Sequence, residues 1–192
     1  IEGINLVKVE KNEKEEKQLK PLEEISKDYY FTADNFIKMC LILIRIRANV
    51  PIIMMGETGC GKTSLIKKLS ELQNNGNCHL IIDNIHAGHT NKDIINSIEE
   101  KVLPESKKLA LEEETRKNNY KLGTGFEEKK LLVFFDELNT CNSMDLLSEI
   151  ICKHTYEGKI LPENIVFIGA ANPYRKAEKK KVGLKIKNVD YY

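Results

Sequence analysis

The chain has 192 residues, 41% of them hydrophobic, which suits about one globular domain with an ordinary core. A formal net charge of +1 excludes a protein that holds nucleic acid or membrane surfaces by bulk charge. Five cysteines (Cys40, Cys60, Cys78, Cys141, Cys152), with no Cys-x-x-Cys pair and no signal peptide, exclude a zinc ribbon and point to reduced thiols in an intracellular, cytoplasmic setting. No apolar run nears the roughly 20 residues that cross a bilayer; the longest, around Met39–Ile46, is broken by Arg45 and Arg47. The first residue is Ile1 and the last residues close no element, so a fragment of a longer protein is expected.

Residues 1–30 read as a charged linker or exposed arm, because Lys8 to Asp28 is mixed in charge and poor in apolar groups. Thr32 is a candidate helix cap, and Phe36, Ile37, Cys40, Leu41 and Ile44 recur at helical spacing as the face expected to pack on the body. Asn49 and the Val50-Pro51 step end that helix. Pro51–Met55 reads as the first buried strand. A helix over Lys62–Gln73 follows, with Leu65, Ile66 and Leu69 inward, then a turn at Asn74–Asn77 and a second strand at His79–Asp83. Thr90 caps a helix expected to run to about Leu103, before Pro104. Glu105 to Lys130, highly charged and with Gly123 and Gly125, reads as an exposed helix and a mobile loop. Leu131–Phe135 is a third strand, Asn142 to about His154 a helix, and Ile165–Ala170 a fourth strand. Strands alternating with helices predict an α/β fold, a parallel sheet with helices on both faces. Residues 177–192, with Lys179-Lys180-Lys181, read as a basic tail or truncated continuation.

Gly56-Glu57-Thr58-Gly59-Cys60-Gly61-Lys62-Thr63 matches the Walker A pattern in full. Glycines let the backbone curl so that several N–H groups point into one cavity. The helix that begins there favours an anion at its N-terminus. Lys62 reaches the β- and γ-phosphates, the Thr63 hydroxyl suits Mg²⁺, and Ser64 closes the cradle. Leu131–Phe135 ends in Asp136-Glu137, a strand-end acid pair similar to Walker B. Asp136 would hold Mg²⁺ through its water shell, and Glu137 would be the general base toward the attacking water. Asn172 follows the fourth strand in Ile168-Gly169-Ala170-Ala171-Asn172-Pro173, where it is either a phosphate-sensing amide or an ordinary Asn-Pro turn. His86 and His89 lie near Asp83 but have no third metal partner, so a loop or subunit contact is expected there. Arg175 is either phosphate-facing or a surface residue. Asn91-Lys92-Asp93 lacks the spacer of a guanine motif, which disfavours a GTPase.

The order Walker A, Asp-Glu Walker B and strand-end Asn resembles the AAA+ family. The flanking words Asp34-Asn35-Phe36, Gly88-His89-Thr90, Leu138-Asn139-Thr140 and Ala170-Ala171-Asn172-Pro173-Tyr174-Arg175 narrow this. They resemble the AAA+ modules of the mysterin family, giant RING-type E3 ubiquitin ligases. The resemblance implies a P-loop NTPase three-layer sandwich, the AAA+ large subdomain over residues 31–176, without a visible fifth core strand or small lid domain. It implies that the fourth strand lies between the Walker A and Walker B strands and that Asn172 is the sensor-1 residue. It carries over Lys62, Thr63, Asp136, Glu137 and Asn172 as ATP-site residues. It also implies an arginine finger from a neighbouring AAA+ module. No RING cysteine–histidine cluster is present, so ligase chemistry is expected only in the parent protein. The alternative is a nucleotide-stabilised structural unit that does not turn over ATP.

Overall fold

The computed structural model describes residues 29–74, 77–120 and 129–173. Residues 1–28 of the arm expected at 1–30, the basic tail expected at 177–192, Gly123, Gly125 and Arg175 lie outside the described residues. The elements in chain order are α1 (Ala33–Arg47), β1 (Ile52–Met55), α2 (Lys62–Gln73), β2 (Leu80–Asn84), α3 (Asn91–Ser97) and α4 (Leu103–Tyr120). Then come β3 (Leu131–Asp136), α5 (Met144–Ser148), β4 (Thr155–Tyr156), β5 (Lys159–Ile160) and β6 (Ile165–Ala171). Among the described residues the main sheet has four strands, all parallel, in the order β1-β6-β3-β2. β6 therefore lies between the strand before the glycine loop and the strand that ends in Asp136-Glu137, as the resemblance implied.

β3 shows why the sheet sits in the middle of three layers. Leu131, Leu132, Val133, Phe134 and Phe135 are all buried, so both faces of the strand are covered. Leu131, Val133 and Phe135 pack with Ile165 and Phe167 under α3, α4 and α5. Leu132 and Phe134 pack with Ile52, Ile168 and Ala170 under α1 and α2. Alternate residues of one strand thus supply two cores, each such side chain stabilising by about 1.5–3 kcal/mol relative to exposure.

β1, read as a buried strand, lies at the edge of the described sheet with Ile53 and Met55 exposed, and three further sequence expectations change. First, α1 is capped by Thr32 as expected, its hydroxyl accepting the Asn35 N–H at 3.1 Å. It packs on the sheet through Met39, Ile42 and Ile46, however, and leaves Phe36, Ile37, Leu41 and Ile44 exposed at 55–60%, with Cys40 half-buried. The helix is apolar around most of its circumference, so spacing alone offers two candidate faces, and the sheet selects the other one. Second, Pro104 does not end the helix that Thr90 starts. A π-helical turn at Ile98–Val102 joins α3 to α4, with the Leu103 N–H bonded to the Ile98 carbonyl. Proline lacks an N–H and its ring crowds the carbonyl four residues back, and the wider π turn accommodates both. α4 is also not exposed all round, because Ser106, Leu109 and Glu113 are buried. Third, the helix expected to begin at Asn142 begins at Met144 and ends in a π turn at Glu149–Lys153, with His154 left-handed at φ 57°. A hairpin follows that the sequence reading did not contain. Glu157 (φ 47°) and Gly158 (φ 74°) both take the positive φ that a tight two-residue turn needs.

Candidate functional site

The carboxyl ends of β1, β3 and β6 meet at one edge of the sheet, the edge where parallel α/β sheets bind ligands. A cleft of about 240 Å³ opens there, lined by Thr58, Gly59, Gly61, Lys62, Thr63, Ser64, Asp136, Glu137 and Asn172. A larger hollow, about 310 Å³, opens by the opposite strand ends beside Pro51, Lys130 and Ile165. Chemistry rather than volume selects the smaller one, since it gathers the glycine loop, a lysine, two acids and an amide.

The glycine loop leaves β1 at Met55, and the Gly56 N–H donates to the Ala171 carbonyl at 3.2 Å, tying the loop's start to β6. Gly59 and Gly61 have φ +83° and +85°, and a side chain at either would meet no heavy atom within 4 Å. The left-handed backbone requires glycine, and the space above it is open to a ligand. α2 starts directly after Gly61 with no side-chain cap and no acid in its first turn. Its leading N–H groups are thus left for an outside acceptor. The Lys62 ammonium donates to the carbonyls of Gly56 at 2.6 Å and Glu57 at 3.1 Å, and to Asn172 Oδ1 at 3.0 Å. Cys60 is exposed on the loop, and a Cβ on Gly56 would lie 2.9 Å from its Sγ, so Gly56 makes room for that side chain.

Across the cleft, Asp136 Oδ2 accepts from the Thr63 hydroxyl at 3.4 Å, and Asp136 Oδ1 accepts the Glu137 N–H at 2.9 Å. Glu137 itself is left-handed, φ 59° and ψ 35°, with its side chain exposed. A non-glycine residue there carries backbone strain of order 1 kcal/mol, held by the surrounding structure. A hydroxyl and a carboxylate this close are hard oxygen donors. They fit Mg²⁺, which takes one or two protein ligands and keeps several waters.

The residues singled out in the sequence, Gly56 to Ser64, Asp136, Glu137 and Asn172, thus come together at this sheet edge. The histidine pair does not join them. His86 and His89 face each other with ring centroids 3.9 Å apart. Each Nδ1 accepts a backbone N–H of their own loop, from Gly88 at 3.1 Å and from His86 at 3.0 Å. Among the described residues no group of three or more His, Cys, Asp or Glu could hold a metal ion. Beyond this loop, Asp93 closes a capping box with Thr90, whose backbone and hydroxyl hydrogen bonds hold its carboxyl below the usual carboxylate range. Near α1's start, the hydrogen bond from Lys38 to Asp34 at 2.5 Å raises the lysine above its ordinary value.

Sequence reasoning gave no role to Asn139, Thr140 or Gly169. Asn139 Oδ1 accepts the Asn172 N–H at 3.2 Å. The Thr140 hydroxyl lies within reach of the Glu137 carbonyl at 2.9 Å and the Ile85 carbonyl at 3.2 Å. A Cβ on Gly169 would lie 2.3 Å from Leu138 Cδ1. The only trace of these in the sequence is the word Leu138-Asn139-Thr140 and one glycine in an apolar strand. Neither follows a period that could reveal the contact.

A family model for the RNF213 AAA domain matches residues 29–175. The chain is 38% identical over 155 residues to the E3 ubiquitin-protein ligase RNF213 of Homo sapiens and 37% identical over 160 residues to the E3 ubiquitin-protein ligase rnf213-beta of Danio rerio. These matches cover 79% and 80% of this chain and 3% of each relative, so the chain spans a small part of the relatives' length. The chain belongs to the RNF213 AAA domain family, the mysterin family to which its flanking words pointed, and is an AAA domain, a nucleotide-binding module.

Proposed function

We propose that this AAA domain binds and hydrolyses ATP with Mg²⁺, as one unit of a larger mysterin-like E3 ubiquitin ligase that is also a mechanoenzyme. One observation carries the reading. Lys62 and Thr63 at the start of α2, Asp136 and Glu137 at the end of β3 and Asn172 just past β6 line a single cleft beside a left-handed glycine loop. The ATPase core is taken as residues 31–176, with an arm before it and a basic continuation after it.

The roles follow from the donors present. Gly56, Glu57, Thr58, Gly59, Cys60, Gly61 and Ser64 form the Walker A wall of the phosphate site, and the N–H groups opening α2 favour the phosphate anion. Lys62 is the cation for the β- and γ-phosphate oxygens, and its three oxygen partners already hold it over the loop. Thr63 and Asp136 are the groups that would hold Mg²⁺, which supplies neutralisation of charge developing on the phosphates. Glu137, the Walker B glutamate, accepts the proton of the attacking water. Asn172, as sensor 1, orients that water or the γ-phosphate through its amide. An arginine finger from a neighbouring AAA+ module completes the charge stabilisation, an effect of roughly 10³–10⁵ in rate. Ubiquitin transfer belongs to other parts of the parent protein, which is placed inside the cell, in the cytoplasm. Among the described residues no helix is long and apolar enough to cross a membrane.

Glu137→Gln in the complete protein tests the assignment. The variant keeps the carboxylate's shape but cannot take a proton. MgATP binding is expected within about twofold of wild type, while turnover by this module falls by about 10²–10⁴, the usual worth of a general base. Wild-type turnover in that variant would remove Glu137 from the mechanism. Tight binding with no turnover in the wild-type module would leave a structural nucleotide unit instead.

A further inference from the structure

We infer that Asn139 is a positioning residue that locks Asn172 to the turn carrying Glu137, so that the proposed base and the proposed phosphate sensor move as one body. The inference rests on the ATPase reading above and adds to it the device that sets the two groups relative to each other.

The need for such a device comes from the sheet. β3 and β6 run in parallel register up to Phe135↔Gly169. One residue past Asp136, the β3 chain turns left-handed at Glu137 and enters a short 3₁₀ turn over Leu138–Thr140. β6 continues to Ala171, paired on its other side with β1 through Met55↔Ala171. Beyond Gly169, β6 therefore loses its strand partner on the β3 side. A backbone N–H left without a partner in a half-buried site is destabilising, because it loses part of its hydration and gains no acceptor. The Asn139 side-chain carbonyl takes the place of the missing strand by accepting the Asn172 N–H at 3.2 Å. Asn139 and Asn172 are both half-buried, so water competes weakly for this bond.

The bond belongs to a second set of contacts that seat the turn. Leu138 is buried against Gly169, where even a methyl group would collide with it at 2.3 Å. The Thr140 N–H donates to the Glu137 carbonyl at 3.0 Å, and the Ile85 N–H donates to the Asp136 carbonyl at 3.1 Å. Leu138 thus fixes the height of the turn over β6, Thr140 closes its backbone, and Asn139 fixes its position along β6. The other end of Asn172 completes the chain, because its Oδ1 accepts from Lys62. A displacement of Lys62 by phosphate would pass through Asn172 and Asn139 to the turn that holds Glu137. Asn139 does not line the cleft, which distinguishes positioning from contact with substrate.

The test uses the complete protein, with turnover by this module defined as the part lost in Lys62→Ala. Asn139→Leu keeps the volume and removes the acceptor, whereas Asn139→Asp keeps an oxygen at the same place. Asn139→Leu is expected to lower kcat by about 10–100-fold, the scale of a misplacement near 1 Å, with MgATP affinity within about twofold. Asn139→Asp is expected to recover most of that loss. Hydrogen exchange at the Asn172 amide supplies a readout independent of chemistry: protection is expected to fall in Asn139→Leu and to stay in Asn139→Asp. A kcat within twofold of wild type in Asn139→Leu overturns the inference. So does a loss in Asn139→Asp as deep as in Asn139→Leu while its Asn172 amide stays protected. Absence of Lys62-dependent turnover in the wild type sinks the hydrolysis reading instead. The amide exchange then still decides whether the tether exists.

Discussion

The glycine loop and the acidic turn face each other across one cleft but are held by opposite means. The loop's shape comes mainly from its own backbone: Gly59 and Gly61 are left-handed, and a side chain on either would meet no atom within 4 Å. The turn's shape is imposed from outside. Glu137 is left-handed without being glycine, and Ile85 just past β2, Gly169 in β6 and Asn172 just past β6 hold it there through the Asp136 carbonyl, Leu138 and Asn139. A local shape of the first kind survives changes elsewhere in the fold. An imposed shape of the second kind follows its neighbours, which suits the part of a site that must respond to ligand.

Three substitutions probe this difference, and the two glycines give the sharpest pair. Gly169→Ala drives a methyl into Leu138, 2.3 Å away, with Ile151 Cδ1 at 3.5 Å behind it. Overpacking of this kind is expected to cost about 1–3 kcal/mol, read as a lowered denaturant midpoint. Because Leu138 must move, turnover is expected to fall further than nucleotide affinity. Gly61→Ala meets no atom within 4 Å and is strained only by its φ of +85°. It is expected to cost about 1–2 kcal/mol in the nucleotide-free protein and to weaken nucleotide binding directly. If Gly61→Ala proves the more destabilising of the two and spares affinity, the contrast between local and imposed shape is wrong. The smallest effect should have the opposite sign. Glu137→Gly relieves a left-handed non-glycine residue and is expected to raise stability by roughly 0.5–1 kcal/mol while abolishing turnover. A loss of stability there would mean that the Glu137 side chain holds the turn, rather than the turn holding Glu137.

This contrast also marks how much of the site was legible in the sequence. The loop is contiguous, and its glycines, lysine and threonine are each required at their position by backbone geometry or phosphate chemistry, so Gly56–Thr63 could be read directly. Asp136 and Glu137 could be read because they end an apolar strand. Asn139 could not, because its partner lies 33 residues away and the bond is to a backbone N–H, which leaves no mark on residue 172. Gly169 could not be read either: its reason is Leu138, a contact between β6 and the turn that follows β3.

For the fold as a whole, the amino-acid sequence by itself determined the four strands of the main sheet, the parallel α/β plan and the place of the glycine loop, because these follow from short apolar runs, turn residues and alternation. Tertiary structure alone decided which face of α1 is buried, since a helix with apolar residues around most of its circumference offers more than one face until a sheet is laid against it. It also decided that the helix runs through Pro104, where a π turn and the packing of Ser106 and Leu109 outweigh a local stop signal. And it alone brought Asn139 under Asn172, since two half-buried polar groups find each other only once the strands that carry them have docked.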